Sequence, residues 1–427
     1  MLYISLSKFN ISIIVLVKVE GQYLIQNQKP SELLETYGSP LYVYDAQKIE
    51  EQINKMKKAF EPLDVKLKFA CKALTNLSIL KLMLKNGLGV DVVSIEEIKL
   101  ALKVGFAPDA IQYTPSGVAF SEIEEAVSLG IRLNVDSLNL LEWVGQNYGS
   151  KLPVALRLNP SIMAGGNLKI STGHADSKFG IPIDYIEKIV SLVQTYGIEV
   201  VGLHQHNGSD FKDGSVIVTA LKKSMEAAEK YFPHIQFIDM GSGFKVAYHE
   251  DDHITDMDSI AKDVITEFQG FKERYGKNVE LWFEPGKYLV SESGTFLVNV
   301  NVVKNNPGRN FVHVNSGLNH LLRPMMYDAY HEIVNISNTD ETTKELYDIV
   351  GYICETDTFG SNRSLPKVEP GDIIGIKNAG AYCFSMSSNY NSRIKPAEVL
   401  VYQGKAHLIR ERETFEDILR HQIEIEL

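Results

Sequence analysis

Cysteine is scarce in this chain, and the three present, Cys71, Cys354 and Cys383, stand far apart. That spacing excludes a disulfide framework and a cysteine-based zinc site, and it points to the cytosol. Positive charge is also in deficit. The 427 residues carry a formal net charge of −11, which argues against a phosphate-backbone partner, so no nucleic acid is expected. Long apolar runs are missing too, so no membrane association is expected. The stretch "ISIIVLVKV" at 11–19 is too short to span a bilayer, and it has only a weak basic flank and no small-residue cleavage site. Its Ile and Val content reads as a β-strand, and a start codon set too early is the other reading. Linkers, low-complexity tracts and short repeats are absent.

The composition, 44% hydrophobic and 23% charged, is globular, and the length calls for two domains. From about residue 40, strand-like and helix-like segments alternate. "LYVYD", "VKLKFACK", "GVDVVS", "IQYTP", "RLNVDS", "VALRLNP", "VVGLHQHNGS", "FIDMGSG" and "LWFEPG" are short strands, most of them separated by helical spacing such as "AQKIEEQINKMKKAF". About eight such repeats predict parallel β/α units closed into a TIM-like (β/α)8 barrel over residues 41–285. After Glu284 the texture turns to strands with few helices, as in "GTFLVNVNVVKNN" and "AEVLVYQGKAHLI". Residues 286–427 are therefore expected to form a mainly β domain, and residues 1–40 to join it.

In a parallel barrel, functional groups sit at the C-terminal ends of the strands. The unusual residues fall there. Lys72 ends "KFACK", Asp91 lies in the next strand, His204 and His206 lie in "LHQHNGS", Gly241 and Gly243 flank "GSG", and Glu284 ends "LWFE". Lys66, Lys68 and Lys72 share one strand face, but only Lys72 is at the mouth. A lone lysine at a strand end is more often merely solvated; several special strand ends together favour chemistry. The segments "NGSD" and "GSG" offer backbone N–H groups and the Ser209 hydroxyl to a phosphate. A lysine amine can condense with an aldehyde, a glutamate can pair with a protonated ring nitrogen, and an imidazole can stack on a flat ring. Together these suit pyridoxal 5'-phosphate.

A rival reading is a metal-dependent barrel hydrolase using His204, His206 and Asp239, but its ligand set is incomplete, and no metal is expected. A non-catalytic regulator on the same fold would have no need of Lys72, Glu284 and Cys354 together.

"YVYD", "FACKALTN", "HQHNGS", "DMGSGF", "EPGKYLVSESG", "ICETDTF" and "GAYCFSMSSNYNSRIKPAEVLV", in order from about residue 30 to about 405, resemble the fold-type III pyridoxal phosphate decarboxylases. The resemblance implies an alanine racemase-like barrel plus a C-terminal β domain. It implies that Lys72 carries the cofactor, that His206 stacks on its ring, that Ser209 and Gly243 bind its phosphate, and that Glu284 faces its ring nitrogen. Asp91, Gly241, Gly286, Lys287 and Tyr390 complete the implied cofactor set. Lys287, Arg323, Tyr327, Glu355 and Tyr390 match substrate-contacting positions, and Cys354 the acid that returns a proton. The family builds each site across a homodimer, so shared sites are implied. Within the family, "ISTGHADSKFGI", "LLRPMMYDAYH" and "NYNSRIKPAEVLV" resemble the branch acting on meso-diaminopimelate, with carboxynorspermidine, arginine and ornithine as alternative substrates. Lys287 departs from the family's usual arginine; it keeps the charge and loses the bidentate fork.

Overall fold

The computed structural model describes residues 15–162, 177–206, 208, 210, 214–249 and 251–427. Ser209 and most of "ISTGHADSKFGI" lie outside the described residues.

Eight parallel strands close into a barrel. They are Lys66–Ala70, Gly89–Val92, Ile111–Tyr113, Arg132–Val135, Val154–Asn159, Val200–His204, Phe237–Asp239 and Glu280–Phe283. Val200–His204 pairs with both Val154–Asn159 and Phe237–Asp239, and Glu280–Phe283 returns to Lys66–Ala70, which completes the ring. Helices start where the chain supplies an oxygen to a free N–H. Asn76, Ser94 and Ser137 accept from Ser78, Glu97 and Leu140 at the starts of Leu77–Lys85, Ile95–Val104 and Leu138–Asn147. Gly105 ends the second of these in the left-handed region, where a side chain would be strained.

Leu41–Asp45, expected as the first barrel strand, belongs elsewhere. It pairs antiparallel with Gly294–Asn306 and parallel with Ala397–Tyr402, inside a mixed sheet built from the C-terminal third of the chain. Its burial explains the misassignment. All five residues are buried, so the run shows the same uninterrupted apolar texture as a barrel strand. The apolar N-terminal stretch, expected to add a strand to that sheet, instead forms a hairpin of Leu16–Val19 with Gln22–Ile25. Leu16 and Ile25 pack against Leu41, Val43, Leu297 and Val399 of the mixed sheet without joining its hydrogen bonds. Among the described residues, no helix is long and apolar enough to cross a membrane.

Candidate active site

Lys72 is the middle residue of a 3-10 turn, Cys71–Ala73, just past the end of the first barrel strand. The turn lifts the side chain into the barrel mouth, where 41% of its surface is exposed. Its Nζ lies 3.4 Å from Asp91 Oδ2. Burial of the amine works to lower its pKa, but Asp91, with Tyr382 and Glu284, outweighs that and holds the ammonium above the ordinary lysine value. Asp91 is fixed from its other side by the Thr114 hydroxyl at 2.9 Å, which in turn accepts from Asn134.

Glu284 follows the last barrel strand and is buried. His204 Nε2 lies 3.1 Å from its Oε2, while Oε1 is buried with no partner in the protein. Burial pushes this carboxyl up, but His204 and Lys72 overcome it and bring the pKa down to about 2. His206 is the reverse case: burial, then Lys72 and Arg157, hold its imidazole neutral well below the usual value. Its Nδ1 accepts from the Ser242 N–H at 3.2 Å.

Two glycines leave space that a side chain would fill. A Cβ on Gly241, whose φ is +61°, would lie 2.6 Å from His206 Nδ1. One on Gly286 would lie 3.1 Å from Ala70 Cβ and Ala73 Cβ. Gly243 lines the same small cavity, with Lys72, His206, Glu284 and Tyr382. Lys287 and Tyr382 also line a second cavity, of about 390 Å³, which holds Arg323, Tyr327, Tyr248 and Asp210. Arg323 is buried, donates from a terminal nitrogen to the Tyr248 hydroxyl at 3.1 Å, and leaves its Nε unpartnered. Lys287 is buried as well, and Asp210 Oδ1 takes its amine at 2.6 Å.

The structure does not bring Cys354, Glu355 and Tyr390 to this mouth. They form an exposed cluster of their own: Cys354 Sγ lies 3.3 Å from Glu355 Oε2, and the Tyr390 hydroxyl donates to Glu355 Oε1. None of the three lines either cavity. Tyr382, Tyr248, Asp210 and Arg157 were not singled out from the sequence. Tyr382 sits in the "GAYCFSM" motif, and its backbone N–H donates to Ala73 O at 2.8 Å, which ties the motif to the Lys72 turn. The metal reading is regrouped: His204, Asp239 and Glu284 converge within 4.8 Å, but His206 is not among them, and of the three only Glu284 lines a mouth cavity.

The donor set fits a flat, phosphorylated aldehyde. Lys72 offers an amine, Glu284 an unpartnered charged oxygen, His206 a neutral ring, and Gly241, Gly243 and Gly286 the room. A barrel with a lysine at its mouth, beside a mixed β domain, defines the class of fold-type III pyridoxal phosphate enzymes. The family model for the pyridoxal binding domain of pyridoxal-dependent decarboxylases matches residues 46–291. The diaminopimelate decarboxylase of Methanothermobacter thermautotrophicus is 37% identical over 414 residues, 95% of this chain and 96% of its own. The crystal structure of diaminopimelate decarboxylase from M. jannaschii in co-complex with L-lysine superposes with a TM-score of 0.89 at 32% identity, covering 96% and 98% of the two chains. That from Helicobacter pylori, complexed with L-lysine, gives 0.84 at 36% identity over 91% and 98%. The chain belongs to the diaminopimelate decarboxylase family of pyridoxal-dependent decarboxylases.

Proposed function

We propose that the protein decarboxylates meso-diaminopimelate to L-lysine and carbon dioxide with pyridoxal 5'-phosphate. The observation that carries this is the joining of two cavities: the one over Lys72 and Glu284 shares Lys287 and Tyr382 with the one holding Arg323. A cofactor held in the first leaves a cationic chamber for the far end of the substrate. When bound, the cofactor supplies the sink for the electron pair left as the carboxylate departs.

The chain's own groups do the rest. Lys72 would hold the cofactor through its amine. Glu284, ionised by its neighbours, would keep the cofactor's ring nitrogen protonated, and neutral His206 would pack against its ring. Gly241, Gly243 and Ser209 would bind its phosphate, while Asp91 orients the Lys72 amine. Arg323 takes the distal carboxylate, with Tyr327 beside it.

Cys354, Glu355 and Tyr390 are too well grouped and too exposed to be spectators. We assign them to the site of a second copy of the chain, so that a homodimer shares its two sites. Cys354 Sγ then returns the proton, and Glu355 accepts from the distal ammonium. The barrel portion runs on this reading from Ala46 to about residue 285, with residues 15–45 joined to the β domain formed by 286–427. The scarcity and wide spacing of cysteine support a cytoplasmic location.

The test is incubation of the purified protein, with pyridoxal 5'-phosphate, with meso-diaminopimelate, ornithine or arginine in separate reactions. Carbon dioxide should be released from the first. Preferential release from ornithine or arginine would overturn the substrate assignment and leave the cofactor assignment standing.

A further inference from the structure

We propose that the closed end of the barrel binds a small oxyanion, of the phosphate or carboxylate class, between Lys68 and Arg132. A cavity of about 670 Å³ opens here, away from the mouth. Its walls are the starts of the barrel strands: Gly89, Ala110, Arg132 and Glu280 line it, and Lys72 does not.

Lys68 points into the barrel on the same strand face as Lys72, and its side chain is buried. Its amine has a carbonyl, Ala110 O, at 3.1 Å and the face of Trp282 at 4.4 Å. No carboxylate among the described residues lies within ion-pair distance of it. Arg132 approaches the same indole, with its guanidinium carbon 5.0 Å from the ring centroid, and its hydrogen bond is to a carbonyl, Asp109 O, at 3.5 Å. Two cations therefore flank one indole and line one cavity, each hydrogen-bonded to a backbone carbonyl. Unpaired buried charge is costly, and like charges side by side add to the cost.

Of the four acids lining the cavity, Glu61, Asp64, Asp109 and Glu280, two are engaged elsewhere, while Asp109 and Glu280 still favour the charge of Arg132. Asp64 takes the Lys66 amine at 3.0 Å, and Glu280 takes the Trp282 indole N–H at 2.8 Å. Burial, and then Arg132, bring the pKa of Lys68 down to about 8, so the amine is charged at a penalty that an anion would remove. Gly89 supports the geometry. A Cβ there would lie 2.4 Å from Ala110 O and 3.2 Å from Lys68 Nζ, so the missing side chain lets the amine reach the cavity. An oxyanion between the two cations accepts from both, and Trp282 closes one wall.

The site carries its own reporter, because the chain has only two tryptophans, Trp143 and Trp282. Trp143 stacks on Phe120 at the barrel's outer layer, with centroids 4.5 Å apart, a contact that phenylalanine can keep. In the Trp143→Phe holoenzyme, inorganic phosphate and malonate are titrated separately at constant ionic strength, and Trp282 emission is read. A saturable change with either anion is expected, and the anion that responds assigns the source. Arg132→Gln in the same background should weaken that binding at least tenfold. Independently of any variant, phosphate should slow acetylation of Lys68 by a pulse of acetic anhydride, read on the peptide by mass spectrometry, whereas equal chloride should not. Emission that stays flat with both anions, or Lys68 labelling that phosphate leaves unchanged, overturns the proposal.

Discussion

His204 holds one oxygen of Glu284 at 3.1 Å and leaves the other, Oε1, without a protein partner. The carboxylate is thereby fixed in direction, charged at neutral pH, and aimed with one acceptor into the cavity over Lys72. A group that preserves shape but not charge separates these roles. Glu284→Gln should keep the cofactor on Lys72 but lose kcat by roughly 10²–10³-fold, the usual cost of removing one preorganised electrostatic group. Turnover and the cofactor's absorbance are the two measurements, and unimpaired turnover would refute the role of Glu284.

Lys66, Lys68 and Lys72 share a strand face, but they occupy three environments: exposed at the closed end, buried in the lumen, and open at the mouth. Borohydride should therefore fix the cofactor to the peptide at Lys72. Lys72→Ala should bleach the bound cofactor's colour and abolish nearly all turnover. Label found on Lys66 or Lys68 would reassign the lysine.

This placement of Lys72 was legible because strand parity and strand end are both local properties. Leu41–Asp45 was not legible as part of the mixed sheet, because its pairing partners lie more than 200 residues away at Gly294–Asn306 and Ala397–Tyr402. The apolar texture of a buried strand is the same in either sheet. The glycines and the His206 segment at the mouth could be read from short motifs. The tie between Tyr382 and the Lys72 turn could not, since it is a single backbone contact across the two halves of the chain. The clustering of Cys354, Glu355 and Tyr390 away from the mouth is likewise a property of folded geometry.

Besides His206 at the mouth, two more buried histidines set an acid limit. Burial, then Arg323, lowers the pKa of His331 to about 3, and burial, with Arg412 adding to it, lowers that of His320 to about 4. Below about 6.5 the unfolded chain protonates these rings and the folded one does not. Stability therefore falls as pH drops from about 6.5 toward 4 and 3. His331 Nδ1 lies 2.8 Å from Lys377 O, a bond that an asparagine amide can replace. The thermal midpoint of His331→Asn should depend less steeply on pH between 6.5 and 4 than that of the parent. Parallel slopes for the two proteins would remove His331 from the account.

If Cys354 completes the site of a second copy, two inactive proteins should rescue each other. Mixing Lys72→Ala with Cys354→Ala chains, after dissociation and reassociation, should restore activity, because one site of each mixed dimer draws an intact set. Mixed dimers that assemble and stay inactive would return Cys354 to its own chain's site, or make it structural.

Substrate choice turns on which cation meets the distal carboxylate. Lys287 and Arg323 line the same chamber, but their situations differ. Asp210 already takes the Lys287 amine at 2.6 Å, so the charge of Lys287 is largely answered within the protein. Arg323 donates to a neutral hydroxyl and keeps Nε unpartnered, and its planar fork matches a carboxylate. A carboxylate entering the chamber must shed water, and truncating one partner of such a buried pair costs about 2–5 kcal/mol. Arg323→Met should raise KM for diaminopimelate by an amount in that range while cofactor absorbance stays unchanged. Lys287→Met should cost less, and Lys287→Arg should keep activity on the same substrate, since Asp210 can accept from a guanidinium as well as from an ammonium. A KM that Arg323→Met leaves unmoved, or a larger loss from Lys287→Met, would give the carboxylate to Lys287 and make Asp210 its competitor.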